Sequence, residues 1–317
     1  MEQTSGPDGY SYLGPAGTFT EAALKQVAAA AGKPWHPVNN VGEALADVQE
    51  GRSVGAVIAI ENSIEGGVTA TLDALAARPG LRITGEYLVP VEFVLVARPG
   101  KTLDRVRIVN AHPVAYAQCR GWLERELPAS AHIPSSSNVA AAASLFADAT
   151  ADAAIAPPGI TDHFDLDVLA RDLGDDPGAA TRFVLVSRST ALPERTGADK
   201  TSVIVELPDE EPGSLLAMLE QFSTRGVNMS LLQSRPILGD AFNRYRFVID
   251  LDGHVHDERV ADALLGLRRY SPKITFLGSY PRADGRPVQY EAKHDDEVFI
   301  EARDWLRGIL SGEPAAD

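Results

Sequence analysis

Three polar clusters in the 317-residue chain carry side chains suited to chemistry. Gly14–Thr20 reads GPAGTFT, with two glycines and a proline between an apolar run and a helical pattern. That spacing leaves Thr18 and free backbone N–H groups at a helix N-terminus, a geometry that binds anions. The same residues also suit an ordinary cap, with Thr18 or Thr20 at the start and Glu21 in the first turn. Without GKS or GKT, the run is not a nucleotide phosphate loop. Ile60–Gly67 (IENSIEGG) puts Glu61, Asn62 and Ser63 at the end of an apolar run, where they can face a cleft. Gly66 and Gly67 would let a ligand approach backbone donors, or would simply build a turn. Thr181–Phe183 offers a hydroxyl, a planar guanidinium fork suited to a carboxylate, and an aromatic wall. Among the histidines, only His112 is placed for work in a cleft. His254 and His256 form an H-x-H beside Asp257 with no third ligand, which reads as a solvated loop. With no G-x-S-x-G and no Ser/His/Asp set that spacing can order, acyl-enzyme chemistry has no support.

These clusters need elements to hold them at one edge. Tyr10–Leu13, Val54–Ile60, Val91–Ala97, Arg107–Ala111, Asp152–Ala156 and Phe183–Ser187 read as strands. Between them lie helical patterns at Thr20–Ala31, near Val68, at Val114–Leu127 and at Asn138–Asp148. VGAVIAI at Val54–Ile60 is apolar throughout, as a parallel strand covered on both faces requires. Ligands of open α/β sheets bind outside the carboxyl ends of strands, where the polar clusters fall. Ser189–Lys200 is polar with Pro and Gly and reads as a linker. Beyond it come a strand (Thr201–Leu207), a helix (Ser214–Arg225), and a strand (Asn228–Arg235) with a turn at Gly239–Asp240. A strand (Asn243–Leu251), a helix (Asp257–Arg269) and a last strand (Ile274–Tyr280) complete a ferredoxin-like β-α-β-β-α-β order. In its first helix Leu215, Leu219 and Phe222 share one face, directed at a sheet. An amphipathic helix at Asp295–Leu310 follows, with Val298, Trp305 and Leu306 expected to dock on the body.

Composition narrows the function. The length suits two domains. A hydrophobic share of 44% and a charged share of 23% belong to an ordinary globular protein, with no apolar run of membrane-spanning length. The start, MEQTSGPDGYSY, has neither a basic nor an apolar signal region and reads as a short disordered leader on a cytoplasmic protein. One cysteine, Cys119, leaves no intrachain disulfide and no cysteine-rich zinc site. The net charge of −15 and the lack of a basic stripe argue against nucleic acid. They also mean that an anionic ligand must be drawn in by local groups against the overall field.

Taken in order, GPAGTFT, IENS, HPVAYAQC at His112–Cys119 and TRF resemble prephenate dehydratase, and PGSLLAMLEQF with QSRP resembles the ACT regulatory domain that follows it. The resemblance runs from about Tyr10 to Arg282. It implies an α/β fold with a two-lobed, periplasmic-binding-protein-like catalytic domain at 10–188 and a ferredoxin-like ACT domain at 201–282. A C-terminal extension with one helix occupies 283–317. It implies a carbon–oxygen lyase of phenylalanine biosynthesis that turns prephenate into phenylpyruvate, with neither metal nor organic cofactor. Thr181 is then the catalytic donor to the departing hydroxyl. Thr18, Phe19, Asn62, Ser63, His112, Arg182 and Phe183 bind substrate, Arg182 through a carboxylate and Phe183 against the ring. Gly213, Ser214, Leu215, Asn228, Gln233, Ser234, Arg235 and Pro236 would bind the effector L-phenylalanine, and a homodimer or homotetramer is implied.

The chain departs from the family pattern in places. Ala111 and Val114 stand where Ser and Gln are frequent, and Ala180 where Asn precedes the TRF. Ser214 replaces Ala, and Gln233 replaces Glu. None of these removes the TRF hydroxyl or fork. Other readings are arogenate as the substrate, a non-catalytic amino-acid sensor, and a metal-dependent hydrolase built on His254 and His256.

Overall fold

The computed structural model describes residues 8–147, 150–207, 212–237, 244–271 and 273–312. The expected Gly239–Asp240 turn and most of the N-terminal leader lie outside them. The chain divides into two compact units: residues up to Ala74 with Tyr87–Val186, and Leu75–Glu86 with the chain from Ser187 onward.

The first unit holds two sheets, each forming a lobe. Its elements are β1 (Tyr10–Leu13), α1 (Phe19–Lys25), β2 (Trp35–Val38), α2 (Val41–Gln49), β3 (Gly55–Asn62), β4 (Gly66–Gly67) and α3 (Thr69–Ala76). Then come β5 (Arg82–Pro90), whose residues up to Glu86 belong to the second unit, β6 (Val94–Ala97), β7 (Ile108–Ala111), α4 (Pro113–Gln118), α5 (Arg120–Glu126), β8 (Ala131–Pro134), α6 (Asn138–Ala147), β9 (Ala153–Ala156), β10 (Asp167–Ala170) and β11 (Ala180–Ser187). The first lobe's sheet runs β2-β1-β3-β11-β5, with β4 folded back on β3. β1 lies parallel to both β2 and β3. Its core gathers Tyr10, Tyr12, Val57 and Phe183 under Ala23 and Leu24 of α1. The second lobe's sheet runs β10-β6-β9-β7-β8. Alternate residues feed its two faces. Leu95 and Ala97 pack with Ala115, Cys119 and Leu123, whereas Val94 and Val96 pack with Val139, Ala142 and Leu145 of α6. Helices thus cover both faces, as the apolar strands require.

Several elements differ from expectation. β3 extends through Asn62, so Glu61 and Asn62 belong to the strand rather than to the loop beyond it. α1 stops at Lys25. The expected Val114–Leu127 helix breaks at Cys119, because Asp175 accepts the N–H of Gly121 and of Trp122 and caps a new helix there.

The second unit continues with β12 (Asp199–Glu206), α7 (Ser214–Ser223), β13 (Met229–Pro236), β14 (Tyr245–Asp252), α8 (Glu258–Tyr270), β15 (Lys273–Pro281) and α9 (Asp296–Ser311). Its antiparallel sheet runs β13-β14-β12-β15, the ferredoxin-like order. One face packs Val203, Val205, Phe247 and Ile249 against Met218, Phe222, Val260 and Leu267 of α7 and α8. Leu215 is 41% exposed, so the buried stripe of α7 starts a turn later than the sequence suggests.

The other face is polar and buried. Ser202 donates to Asp250 at 2.5 Å and bonds Tyr280 at 2.7 Å. Lys200 pairs with Glu86 at 3.0 Å. The segment carrying Glu86 also runs close over β15. A Cβ on Gly278 would collide with the Ile83 carbonyl, so only glycine admits that approach. The expected linker is built in: Arg195 pairs with Asp257 and Asp296, and Val288 bonds the Gly197 carbonyl. His254 is fully buried, which corrects the solvated-loop reading. On α9, Val298, Trp305 and Leu306 are 43%, 58% and 49% exposed, so among the described residues the expected docking of this face does not occur. No helix among the described residues is long and apolar enough to cross a membrane.

Candidate active site

The end of β3 and the start of β11 meet through side chains. Asn62 donates from Nδ2 to Thr181 Oγ1 at 3.0 Å. Its Oδ1 accepts the N–H of Ile64 at 2.9 Å and of Glu65 at 3.2 Å. Those two amides can bond only to the oxygen, so the side-chain amide has one possible orientation, with its nitrogen toward Thr181. Thr181 therefore accepts from Asn62, and its own proton is left to donate elsewhere. Gly66 and Gly67 pair with Asn62 and Glu61 in a tight hairpin instead of lying open to a ligand. Ser63 exchanges two bonds with Ala180: its N–H donates to the carbonyl at 2.9 Å and its Oγ accepts the N–H at 3.0 Å. That junction uses only the backbone of residue 180, so alanine there leaves it intact.

Arg182 is buried and bonds Glu61 at 2.8 Å, so its guanidinium is already engaged with a carboxylate of the chain. Phe183 is 2% exposed and lies within the first-lobe core, which corrects its expected place as a wall against a substrate ring. Phe19 is the aromatic that reaches the cleft. It packs edge-on against Phe93 of the second lobe, with centroids 5.7 Å apart.

A cavity of about 280 Å³ lies between the lobes. That is near the lower end of small-molecule sites, which span about 300–1,000 Å³. Leu13, Gly14, Thr18 and Phe19 line it from the first lobe, and His112, Ser136, Ser137, Asn138 and Pro157 from the second. Thr18, Phe19 and His112 are thus brought together, whereas Asn62, Ser63, Thr181, Arg182 and Phe183 are not among its lining residues. The two groups share a sheet edge, because β1 and β3 run parallel and end at Leu13 and Asn62.

The anion-binding expectation for GPAGTFT needs correction. Thr18 Oγ1 accepts the Glu21 N–H, and the Glu21 carboxylate takes the Gly17 N–H at 2.8 Å. A carboxylate of the protein already fills that position.

His112 caps α4 through Nδ1 and still lines the cavity. It is not alone between the lobes, since His163 bonds Glu21 at 2.8 Å. The polar run Ser136–Asn138 escaped the sequence analysis. Its signal was present: SSSN directly before an alanine-rich apolar run is a helix start, and Ser137 Oγ does accept the Ala140 N–H. Among the described residues no group of three or more His, Cys, Asp and Glu side chains could hold a metal ion.

Gly213 precedes α7 in the left-handed region at φ 94°, and Gln233–Pro236 end β13 at the sheet's edge. Ser214 accepts the Tyr270 hydroxyl at its carbonyl, and Asn228 donates to Asp252 at 2.7 Å.

Known proteins resemble this chain along nearly its whole length. A prephenate dehydratase family profile matches residues 10–191. The prephenate dehydratase of Amycolatopsis methanolica is 40% identical over 306 residues, covering 96% of this chain and 99% of its own. The crystal structure of prephenate dehydratase from Arthrobacter aurescens in complex with L-Phe is 51% identical, with a TM-score of 0.90 over 96% of this chain and 99% of that one. A structure described as GqqA, a novel type of quorum quenching acylase, is 30% identical with a TM-score of 0.77, covering 86% and 97%. A profile match over more than half the chain and a relative aligned along almost its whole length agree: this chain belongs to the prephenate dehydratase family.

Proposed function

We propose that the chain converts prephenate to phenylpyruvate for phenylalanine biosynthesis, with Thr181 as hydrogen-bond donor to the departing oxygen. The observation that carries this reading is the Asn62 amide, which occupies Thr181 as an acceptor and leaves the hydroxyl proton free to donate. In the reaction, the bond from the ring to the carboxylate carbon breaks and CO2 leaves. Its electron pair enters the ring, the ring C–O bond breaks, and the hydroxide takes up a proton to leave as water. Aromatisation drives the change, so the protein's task is to stabilise charge on the departing oxygen. A threonine hydroxyl is too weak an acid to release its proton fully, so Thr181 polarises this oxygen or relays a proton to it.

In this reading Thr18, Phe19 and His112 contact the substrate, with Ser137 and Asn138 as further polar partners on the second lobe. Asn62 and Ser63 hold Thr181 and the strand end. Arg182 meets a substrate carboxylate only if it exchanges partners with Glu61. The second unit acts as an ACT domain that takes L-phenylalanine at Gly213–Leu215, Asn228 and Gln233–Pro236. The phenylalanine complex of the 51% identical relative supports phenylalanine as the effector. Effector binding shifts the population of catalytic-lobe arrangements. The domains are 10–188 catalytic, 201–282 regulatory and 283–317 extension, in a cytoplasmic homodimer or homotetramer.

The test is phenylpyruvate formation from prephenate by the purified protein, with and without phenylalanine, beside Thr181→Ala. Turnover that the substitution abolishes supports the reading. Turnover of arogenate alone would reassign the substrate, and release of an acid from an acyl amide without prephenate turnover would replace the reaction class. Unchanged phenylalanine affinity in a Gly213→Ala/Gln233→Ala protein would discard the effector site.

A further inference from the structure

We propose that Glu21 and His163 form a clamp between the two lobes that positions the Thr18 turn for the reaction. The Glu21 side chain is 7% exposed, and one oxygen, Oε2, serves two partners. It accepts the Gly17 N–H at 2.8 Å and the His163 ring nitrogen Nε2 at 2.8 Å. The first bond closes the GPAGTFT turn in the first lobe, and the second reaches 142 residues along the chain into the second lobe. Neither side chain lines the 280 Å³ cavity, but Thr18, next to Gly17 in sequence, does.

Three further observations place the turn against the second lobe, where the Glu21–His163 bond can hold it. Gly17 has φ 89°, and a Cβ there would stand 2.9 Å from Ile160 Cδ1, so the turn lies directly against the 157–163 segment of the second lobe. Phe19 packs on Phe93 across the same boundary. Lys25 pairs with Asp162 at 2.7 Å one helical turn further on, although both are substantially exposed and such a pair contributes little by itself. The buried carboxylate is different. It has few alternatives to its two partners, so loss of His163 releases the turn from the lobe that carries His112, Ser137 and Asn138. Glu21 and His163 are therefore positioning residues that act through Thr18 and the width of the cleft.

The kinetic part of the test rests on the dehydratase reading; the exchange part does not. His163→Phe removes the donor, while His163→Gln keeps an N–H that can reach Glu21. We expect kcat/KM for prephenate to fall about 10- to 100-fold in His163→Phe, the size of effect that a misplaced support produces. His163→Gln should return to within about threefold of the parent, with the loss in His163→Phe carried mainly by KM. Hydrogen–deuterium exchange in the Gly14–Thr20 peptide should accelerate in His163→Phe and not in His163→Gln. Parental kcat/KM in His163→Phe would overturn the clamp, as would a loss that His163→Gln does not restore or exchange that is the same in both variants. If the parent protein does not consume prephenate, the dehydratase reading falls and the exchange comparison alone decides the clamp.

Discussion

Replacing Asn62 with aspartate tests the proposed direction of the Thr181 hydroxyl without removing the hydroxyl. The substitution keeps an oxygen for the Ile64 and Glu65 N–H groups and replaces the donor 3.0 Å from Thr181 with a second acceptor. Thr181 then donates to the new carboxylate instead of to the departing oxygen. A hydrogen bond to a charged group contributes about 1.5–3 kcal/mol, and this is what must be given up for the hydroxyl to swing back toward substrate. At 1.36 kcal/mol per tenfold in rate, kcat should fall by about 10- to 200-fold. Thr181→Val removes the donor altogether and should cost about 100- to 1,000-fold, so it sets the lower limit. The double variant should match Thr181→Val alone, because the carboxylate then has no hydroxyl to hold. The assay is phenylpyruvate formation at saturating prephenate. KM should also rise, since the new charge repels a dicarboxylate, so kcat is the quantity that reports the donor role. A kcat within threefold of the parent in Asn62→Asp, or multiplicative losses in the double variant, would refute the donor role.

Three further outcomes follow from the structure. Burial, with the nearby Asp175 charge adding to it, pushes the Cys119 thiol up to about 12, so the native protein should resist a thiol reagent that titrates one equivalent after denaturation; rapid native labelling would contradict the packing around α4. Lys200→Met removes the cation 3.0 Å from the buried Glu86, which keeps the Ala283 N–H, and should destabilise the second unit by about 1.5–3 kcal/mol in urea unfolding, with Glu86→Leu/Lys200→Met recovering part of that loss; equal stability of parent and single variant would show the pair to be idle. Burial lowers the His254 pKa below its ordinary 6.5, against the opposing pull of Asp199. The unfolded chain then binds more protons between the folded and unfolded values, so this contribution to stability is complete above about pH 6.5 and is lost as pH falls through the folded pKa. Thermal midpoints should drop on acidification from that point, and His254→Gln should flatten the drop; identical slopes would exclude His254 as a source.

Much of the fold was legible because it is written in short-range patterns. The ferredoxin-like order followed from the succession of strand and helix segments beyond the linker. Thr18 or Thr20 with Glu21 in the first turn is a helix-start pattern readable from neighbours alone. Leu215 shows the limit of such patterns: its position in the helical period suits a core face, yet α7 sits so that Met218 and Phe222 are buried and Leu215 is not. The break at Cys119 likewise depends on Asp175, more than fifty residues away.

The site divides in the same way. From sequence alone, TRF and IENS could be named as polar residues at strand ends, and their hydroxyl, amide and guanidinium groups bounded the chemistry. Only the folded chain put Asn62 against Thr181 across 119 residues, gave Arg182 to Glu61, drew Phe183 into the core and joined Glu21 to His163. The physical reason is range. Caps, turns and periodicity are decided within a few residues, whereas the partner of a buried donor or charge is whatever group the packing brings within about 3 Å, and sequence spacing carries no measure of that.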